Sequence, residues 1–161
     1  MITKKPALLT EEGLEKLQAE YEQLTTVGRE EVADRLHRAF EDGQDDDFVD
    51  NAELEAARNA QSFLEGRIQE VEEILKNYQI IDDNGEPHDF VRVGDWVTIS
   101  EEGCDEDEKY HLVGAAEADP TEGRISNESP LGEALLGAKV GEIVRVKAPG
   151  GLTEFRVVSI D

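Results

Sequence analysis

Ala39-Phe-Glu-Asp-Gly-Gln-Asp-Asp-Asp-Phe-Val-Asp-Asn-Ala-Glu-Leu54 is the stretch on which the reading of this chain turns. It carries Glu41, Asp42, Asp45, Asp46, Asp47, Asp50 and Glu53, and no Lys or Arg. Long helical patterns run up to it and away from it, so it is expected at the tip of a helical hairpin. Charge gathered at the end of a rod repels itself, and a cation or a basic surface is the partner that relieves the repulsion. The tip is therefore the first place to look for function.

On the N-terminal side, apolar or small residues recur at Leu14, Leu17, Tyr21, Leu24 and Gly28, then after a phase shift at Val32, Leu36 and Ala39. This is helical spacing with a stutter. On the C-terminal side, Ala57, Gln61, Leu64, Ile68, Val71, Leu75 and Tyr78 follow alternating steps of four and three, a coiled-coil seam. Thr10 before Glu11 and Glu12 suits a helix N-cap, and Asp50 with Glu53 resembles a capping box opening the second arm. Each arm has roughly thirty residues and should extend ~45 Å. Without the tip, the pattern reads as a short antiparallel coiled coil used for packing or dimerisation.

Past Ile81, the run Asp82-Asp-Asn-Gly-Glu-Pro87 marks a linker or turn, and the apolar period changes to about two. Val91/Val93, Val97/Ile99, Tyr110/Leu112, Ile143 to Val146 and Phe155/Val157 read as short strands, with Ala148-Pro-Gly-Gly151 as a hairpin turn. Ser129-Pro130 followed by Leu131, Ala134, Leu135 and Gly137 reads as one short helix. Glu101 to Lys109 holds six acids and reads as a solvated loop. The expected fold is α+β: a coiled-coil hairpin over residues 1–78 and a small sheet-plus-helix domain over 79–161.

Composition narrows the function. The 161 residues carry 16 basic and 39 acidic side chains, a formal charge of −23, and only 38% are apolar. Two modest units suit this composition better than one deep core. So acidic a chain is repelled by phosphate backbones, which argues against autonomous binding to nucleic acid and for a basic protein partner or a metal ion. Cys104 is the only cysteine, excluding an intramolecular disulfide and a Cys-based zinc cluster. No signal peptide or membrane-length apolar run is evident, and a cytoplasmic location is expected. His37, His88 and His111 share no catalytic or metal-binding spacing.

The chain resembles the bacterial Gre family of transcript cleavage factors. The likeness rests on Leu9-Thr-Glu-Glu-Gly-Leu-Glu-Lys-Leu17, Asp50-Asn-Ala-Glu53, Glu55-Ala-Ala-Arg58 and Phe63-Leu-Glu-Gly-Arg-Ile68. It continues through Val93-Gly-Asp-Trp-Val97, Ile125-Ser-Asn-Glu-Ser-Pro130 and Ala148-Pro-Gly-Gly151, in the same order. The resemblance implies a hairpin entering the secondary channel of bacterial RNA polymerase and a domain similar in fold to FK506-binding proteins docking at the channel's rim. It implies an accessory factor, not an enzyme: tip carboxylates help hold a second Mg2+ ion, and the polymerase cleaves its own backtracked transcript. Asp47 and Asp50 match the family's paired tip acids, with Asp45 and Asp46 as further candidate metal ligands. Arg58 is implied to touch the nascent RNA 3′ end; helical spacing equally allows it an intrahelical pair with Glu55 or with an acid one turn earlier. No organic cofactor and no membrane partner are implied.

The match has departures. Gln44, Asp45 and Asp46 intervene between Gly43 and Asp47, Phe48 and Val49 separate the paired acids, Leu54 stands where a Tyr is usual, and Phe40 lies near a basic position of the family. Some Gre-like paralogues enter the same channel and inhibit, and their tips are also Asp-rich. Inhibition is thus one alternative reading; a coiled-coil adaptor with a peptide-binding domain is another.

Overall fold

The computed structural model describes residues 4–42, 52–81 and 87–161. The chain divides into two compact units, Leu14–Asn77 and Met1–Gly13 with Tyr78–Asp161. The first thirteen residues, assigned from sequence to the hairpin, thus group with the C-terminal unit. The reason is a pair of three-residue strands, β1 (Ala7–Leu9) and β2 (Tyr78–Ile80), which run parallel with Ala7 opposite Tyr78 and Leu9 opposite Ile80. Ile81 N–H extends the ladder to the Leu9 carbonyl at 2.7 Å.

The hairpin unit contains helices α1 (Glu11–Gln23), α2 (Arg29–Asp42) and α3 (Ala52–Lys76). Between α1 and α2, Leu24–Gly28 forms a π-helical turn. An extra residue per turn is what a phase shift in the apolar pattern requires, so the stutter expected between Gly28 and Val32 has its physical form here. Arg29 N–H reaches back to the Leu24 carbonyl. The Thr25 hydroxyl donates to the Tyr21 carbonyl at 2.8 Å and Thr26 to the Glu22 carbonyl at 2.6 Å, giving the α1 carbonyls just before the widened turn side-chain partners. Gly28 lies against α3: a methyl there would stand 3.0 Å from Leu64 Cδ1.

The seam is thin. Leu17, Ala39, Ala57, Ile68 and Val71 are buried, and the other expected seam positions are half-buried, with two exceptions. Gln61 is exposed, and Tyr78 leaves the helix to pair in β2. Ion pairs tie the arms together. Arg67 binds Glu20 through Nε and Nη2 at 2.6 and 2.9 Å, Arg29 binds Glu65 the same way at 2.9 and 3.0 Å, and Arg35 reaches Glu53 at 2.9 Å. Two-point Arg–carboxylate geometry fixes register better than a single contact does.

In the C-terminal unit, five strands make one sheet in the order β5-β4-β3-β7-β6: β3 (Trp96–Glu101), β4 (Asp107–Val113), β5 (Arg124–Ser126), β6 (Ile143–Ala148) and β7 (Gly151–Ile160). All pairings are antiparallel except β4 with β5. Val97, Ile99, Leu112, Val144 and Val157 form the core with Val91, Ala138 and Leu135 of the short helix α4 (Pro130–Leu135). Ser129 caps α4 by accepting from Gly132 N–H, and a methyl at Gly132 would lie 2.0 Å from the Ser126 carbonyl oxygen. The Glu101–Lys109 segment is exposed throughout, but it is a loop only in its middle: Glu101 ends β3, and Asp107, Glu108 and Lys109 pair in β4 with Ser100, Ile99 and Thr98. Val91 and Val93 do not form the expected strand. Val91 exchanges hydrogen bonds with Gly137 and Ala138, and the chain then turns at Gly94, whose φ of 104° suits glycine. Among the described residues no helix is long and apolar enough to cross a membrane.

Candidate functional site

The two arms flank the acidic stretch in sequence and pair antiparallel. Cross-arm hydrogen bonds join residues 51 positions apart at Tyr21–Glu72, 47 at Glu20–Arg67, 36 at Arg29–Glu65 and 18 at Arg35–Glu53. The separation falls toward residues 43–51 of the sequence, the segment holding Asp45, Asp46, Asp47 and Asp50. Those four residues lie outside the described residues, as does most of the Asp82–Pro87 run. Among the described residues no group of three His, Cys, Asp or Glu side chains is arranged to hold a metal ion.

The described flanks show how the helices meet this charge. Glu53 and Glu55 lie in the first turn of α3, where the helix dipole favours negative charge. Glu41 and Asp42 occupy the last turn of α2, which has no basic residue and where the dipole disfavours acids. Both are exposed; His37 stands 3.3 Å from Glu41 one turn back. Ala39 and Ala57 are the buried positions nearest the tip on the two arms, and their small side chains allow a slender neck. Phe40 is 54% exposed beside it. Arg58 is exposed on α3 and, among the described residues, makes neither the pair with Glu55 nor any other hydrogen bond or ion pair.

Two groups of polar residues were not foreseen as structural. Half-buried His88 and buried Asp95 form a pair at 2.6 Å. Asp95 also accepts from Arg92 N–H at 2.7 Å, and the Arg92 guanidinium meets His88 Nδ1, which leaves the Nε2 proton for Asp95. The pair fixes the turn entering β3, so His88 is a satisfied structural histidine. The second group is Thr10, Gly13 and Glu117, where the Glu117 carboxylate caps α1 across 107 positions of sequence. A half-buried acid in a 3-10 turn, Ala115–Glu117, gives no local signal of such a role.

Residues 7–80 match the family model described as Transcription elongation factor, N-terminal, and residues 86–161 match Transcription elongation factor, GreA/GreB, C-term. The chain is 44% identical over 160 residues to Transcription elongation factor GreA of Acetivibrio thermocellus, covering 99% of each chain. The chain belongs to the GreA/GreB family of transcription elongation factors. A GreA of Bacillus cytotoxicus is equally similar, at 44% identity over 99% of each chain. Among solved structures, the GreA factor homolog 1 protein of Thermus thermophilus aligns at 30% identity over 98% of this chain and 99% of that one, with a TM-score of 0.44, too loose a superposition to argue from. As a transcription elongation factor of the GreA type, the protein is an accessory factor and not itself an enzyme.

Proposed function

We propose that this GreA-type factor binds bacterial RNA polymerase, passes its acidic tip through the secondary channel, and stimulates Mg2+-dependent cleavage of backtracked transcripts by the polymerase active site. The observation that carries the reading is a pair of antiparallel, ion-paired arms flanking, in sequence, a stretch dense in carboxylates. Asp47 and Asp50 are the residues assigned to the metal, with Asp45 and Asp46 as further donors. Carboxylate oxygens are the hard ligands that Mg2+ prefers, and one or two from an incoming protein suffice to complete a weakly held hydrated site. When bound, the ion supplies charge stabilisation and water activation for phosphodiester hydrolysis.

The rest of the work falls to the chain itself. The arms carry the carboxylates to the reacting phosphate, and the Arg67–Glu20, Arg29–Glu65 and Arg35–Glu53 pairs hold the arms in register. Arg58, exposed and without a partner among the described residues, is free to meet the phosphates of the nascent RNA 3′ end. The C-terminal unit serves as the docking body at the channel rim.

One observation favours a second reading. Gln44, Asp45 and Asp46 lengthen the tip before Asp47, and a displacement of about 1 Å lowers catalysis on the order of 100-fold, so the same tip is able to bind in the channel and inhibit. A purified backtracked complex with 3′-labelled RNA separates the two. Cleavage predicts short released fragments, lost on the order of 100-fold with Asp47→Ala or Asp50→Ala. Absence of fragments together with slowed nucleotide addition establishes inhibition instead; no binding to the polymerase leaves the adaptor reading.

A further inference from the structure

The two edges of the five-stranded sheet differ. At one, β5 is only three residues long and follows the 3-10 turn Pro120–Glu122 after a single glycine. At the other, β6 runs six residues in unbroken antiparallel register with β7, and no strand among the described residues pairs with its outer side. Such an edge presents backbone N–H and C=O groups to any chain that lies extended beside it. Its side chains alternate: Val144 and Val146 are buried, whereas Ile143, Arg145 and Lys147 are exposed. The charge of this ribbon is opposite to that of the chain. From Ile143 to Arg156 the basic residues are Arg145, Lys147 and Arg156 and the acid is Glu154, a net charge of +2 (3 − 1) in a chain of −23. Arg145 meets Glu154 directly opposite at 2.8 Å and Arg156 meets Glu102 at 3.0 Å, exposed pairs that exchange partners at little cost. Lys147 makes no hydrogen bond or ion pair among the described residues, and Leu152 across from it is 57% exposed.

We propose that the outer edge of β6 is an interaction site that takes an acidic, extended segment of a partner protein as a sixth strand of the sheet. Main-chain hydrogen bonds along the edge supply affinity, and the alternating side chains of the added strand supply specificity. Positions beside Arg145 and Lys147 call for Asp or Glu, because opposite charges across a ladder attract. Positions on the other face continue the layer of Val144 and Val146 and call for β-branched apolar residues. The segment that fits therefore alternates acidic and apolar residues. A second copy of this chain fits poorly: β6 laid antiparallel against itself sets Arg145 and Lys147 against the same two residues, and like charges across a ladder repel. Nucleic acid is disfavoured by the charge of the whole chain. The inference concerns the C-terminal unit alone and stands whether or not the factor stimulates cleavage.

The test is an amide-resolved NMR titration of the isotope-labelled full chain with an acetylated, amidated octapeptide of alternating Glu and Val. Shift changes should centre on Ile143–Ala148, with slowed hydrogen exchange at alternate amides of β6. The double variant Arg145→Glu, Lys147→Glu should bind this peptide about tenfold more weakly and should instead accept the octapeptide of alternating Lys and Val. Both side chains are exposed, so the exchange of charge removes no core contact; the wild-type shift map decides the site even if that variant fails to fold. No shift with the acidic peptide, or shifts centred elsewhere, overturns the proposal and leaves Arg145 and Lys147 as charges that merely blunt a sheet edge. Equal affinity of the folded double variant for the acidic peptide also overturns it. Concentration-dependent shifts of β6 without any peptide assign the edge to a second copy, and shifts of β6 with oligouridylate but not with the acidic peptide assign it to nucleic acid; either result overturns the proposal.

Discussion

Ile68 is 2% exposed on a seam with few buried side chains, so its removal has little to compensate it. Ile68→Ala should destabilise the hairpin by about 2–5 kcal/mol, read as a lower urea midpoint by circular dichroism. Glu65 gives a pH signature. Its hydrogen bond to the Arg29 guanidinium holds its carboxyl below the ordinary value, so its folded-state pKa lies below its unfolded one. The pair's contribution is therefore present above the unfolded carboxylate range and is lost as pH falls through the folded value. Both side chains are about half exposed, which keeps the contribution small. Comparing wild type with Glu65→Gln should show a modest stability difference at neutral pH that disappears in acid; a difference that grew on acidification would contradict the assigned pair. Gly114→Ala should loosen β1, with a cost of about 1–3 kcal/mol, because the added methyl meets backbone and not a movable side chain.

At the scale of elements, the π turn at Leu24–Gly28 is a register device. Deleting Thr26 removes the residue that the widened turn absorbs, so the segment should close as ordinary α-helix with Val32, Leu36 and Ala39 kept on the seam. The expected outcome is cooperative unfolding of the hairpin close to that of wild type; loss of cooperativity on deletion would show that the turn does not absorb an extra residue. The apolar phase made this device legible, since a break in period is visible in a single sequence. The arms, β3, β4, β6, β7 and the Ser129-capped α4 were legible for the same reason: period, caps and turn residues are local. The β1–β2 pair was not, because three-residue strands carry too few positions to show a period and their pairing is long-range. Val91 failed as a strand because its partners come from the exit of α4, a tertiary fact. Gln61 kept helical spacing but not burial, since a thin seam leaves some spaced positions in solvent.

For the whole molecule, a charge of −23 spread over both units makes attraction to bare nucleic acid a poor explanation of its activity, and points to a protein partner that supplies the positive field. The location of the candidate site was legible because carboxylates without counter-charges cluster at one point of the sequence, between two antiparallel, ion-paired arms. The Glu117 cap was hidden because its partners lie 107 residues apart. The most direct test of the central claim is the Mg2+ concentration giving half-maximal transcript cleavage in a backtracked polymerase complex, with and without the protein. Delivery of tip carboxylates to the catalytic metal predicts a lower half-maximal concentration with the wild-type factor, returning to that of polymerase alone with Asp47→Asn or Asp50→Asn. An unchanged or higher Mg2+ requirement with the wild-type factor bound would contradict it.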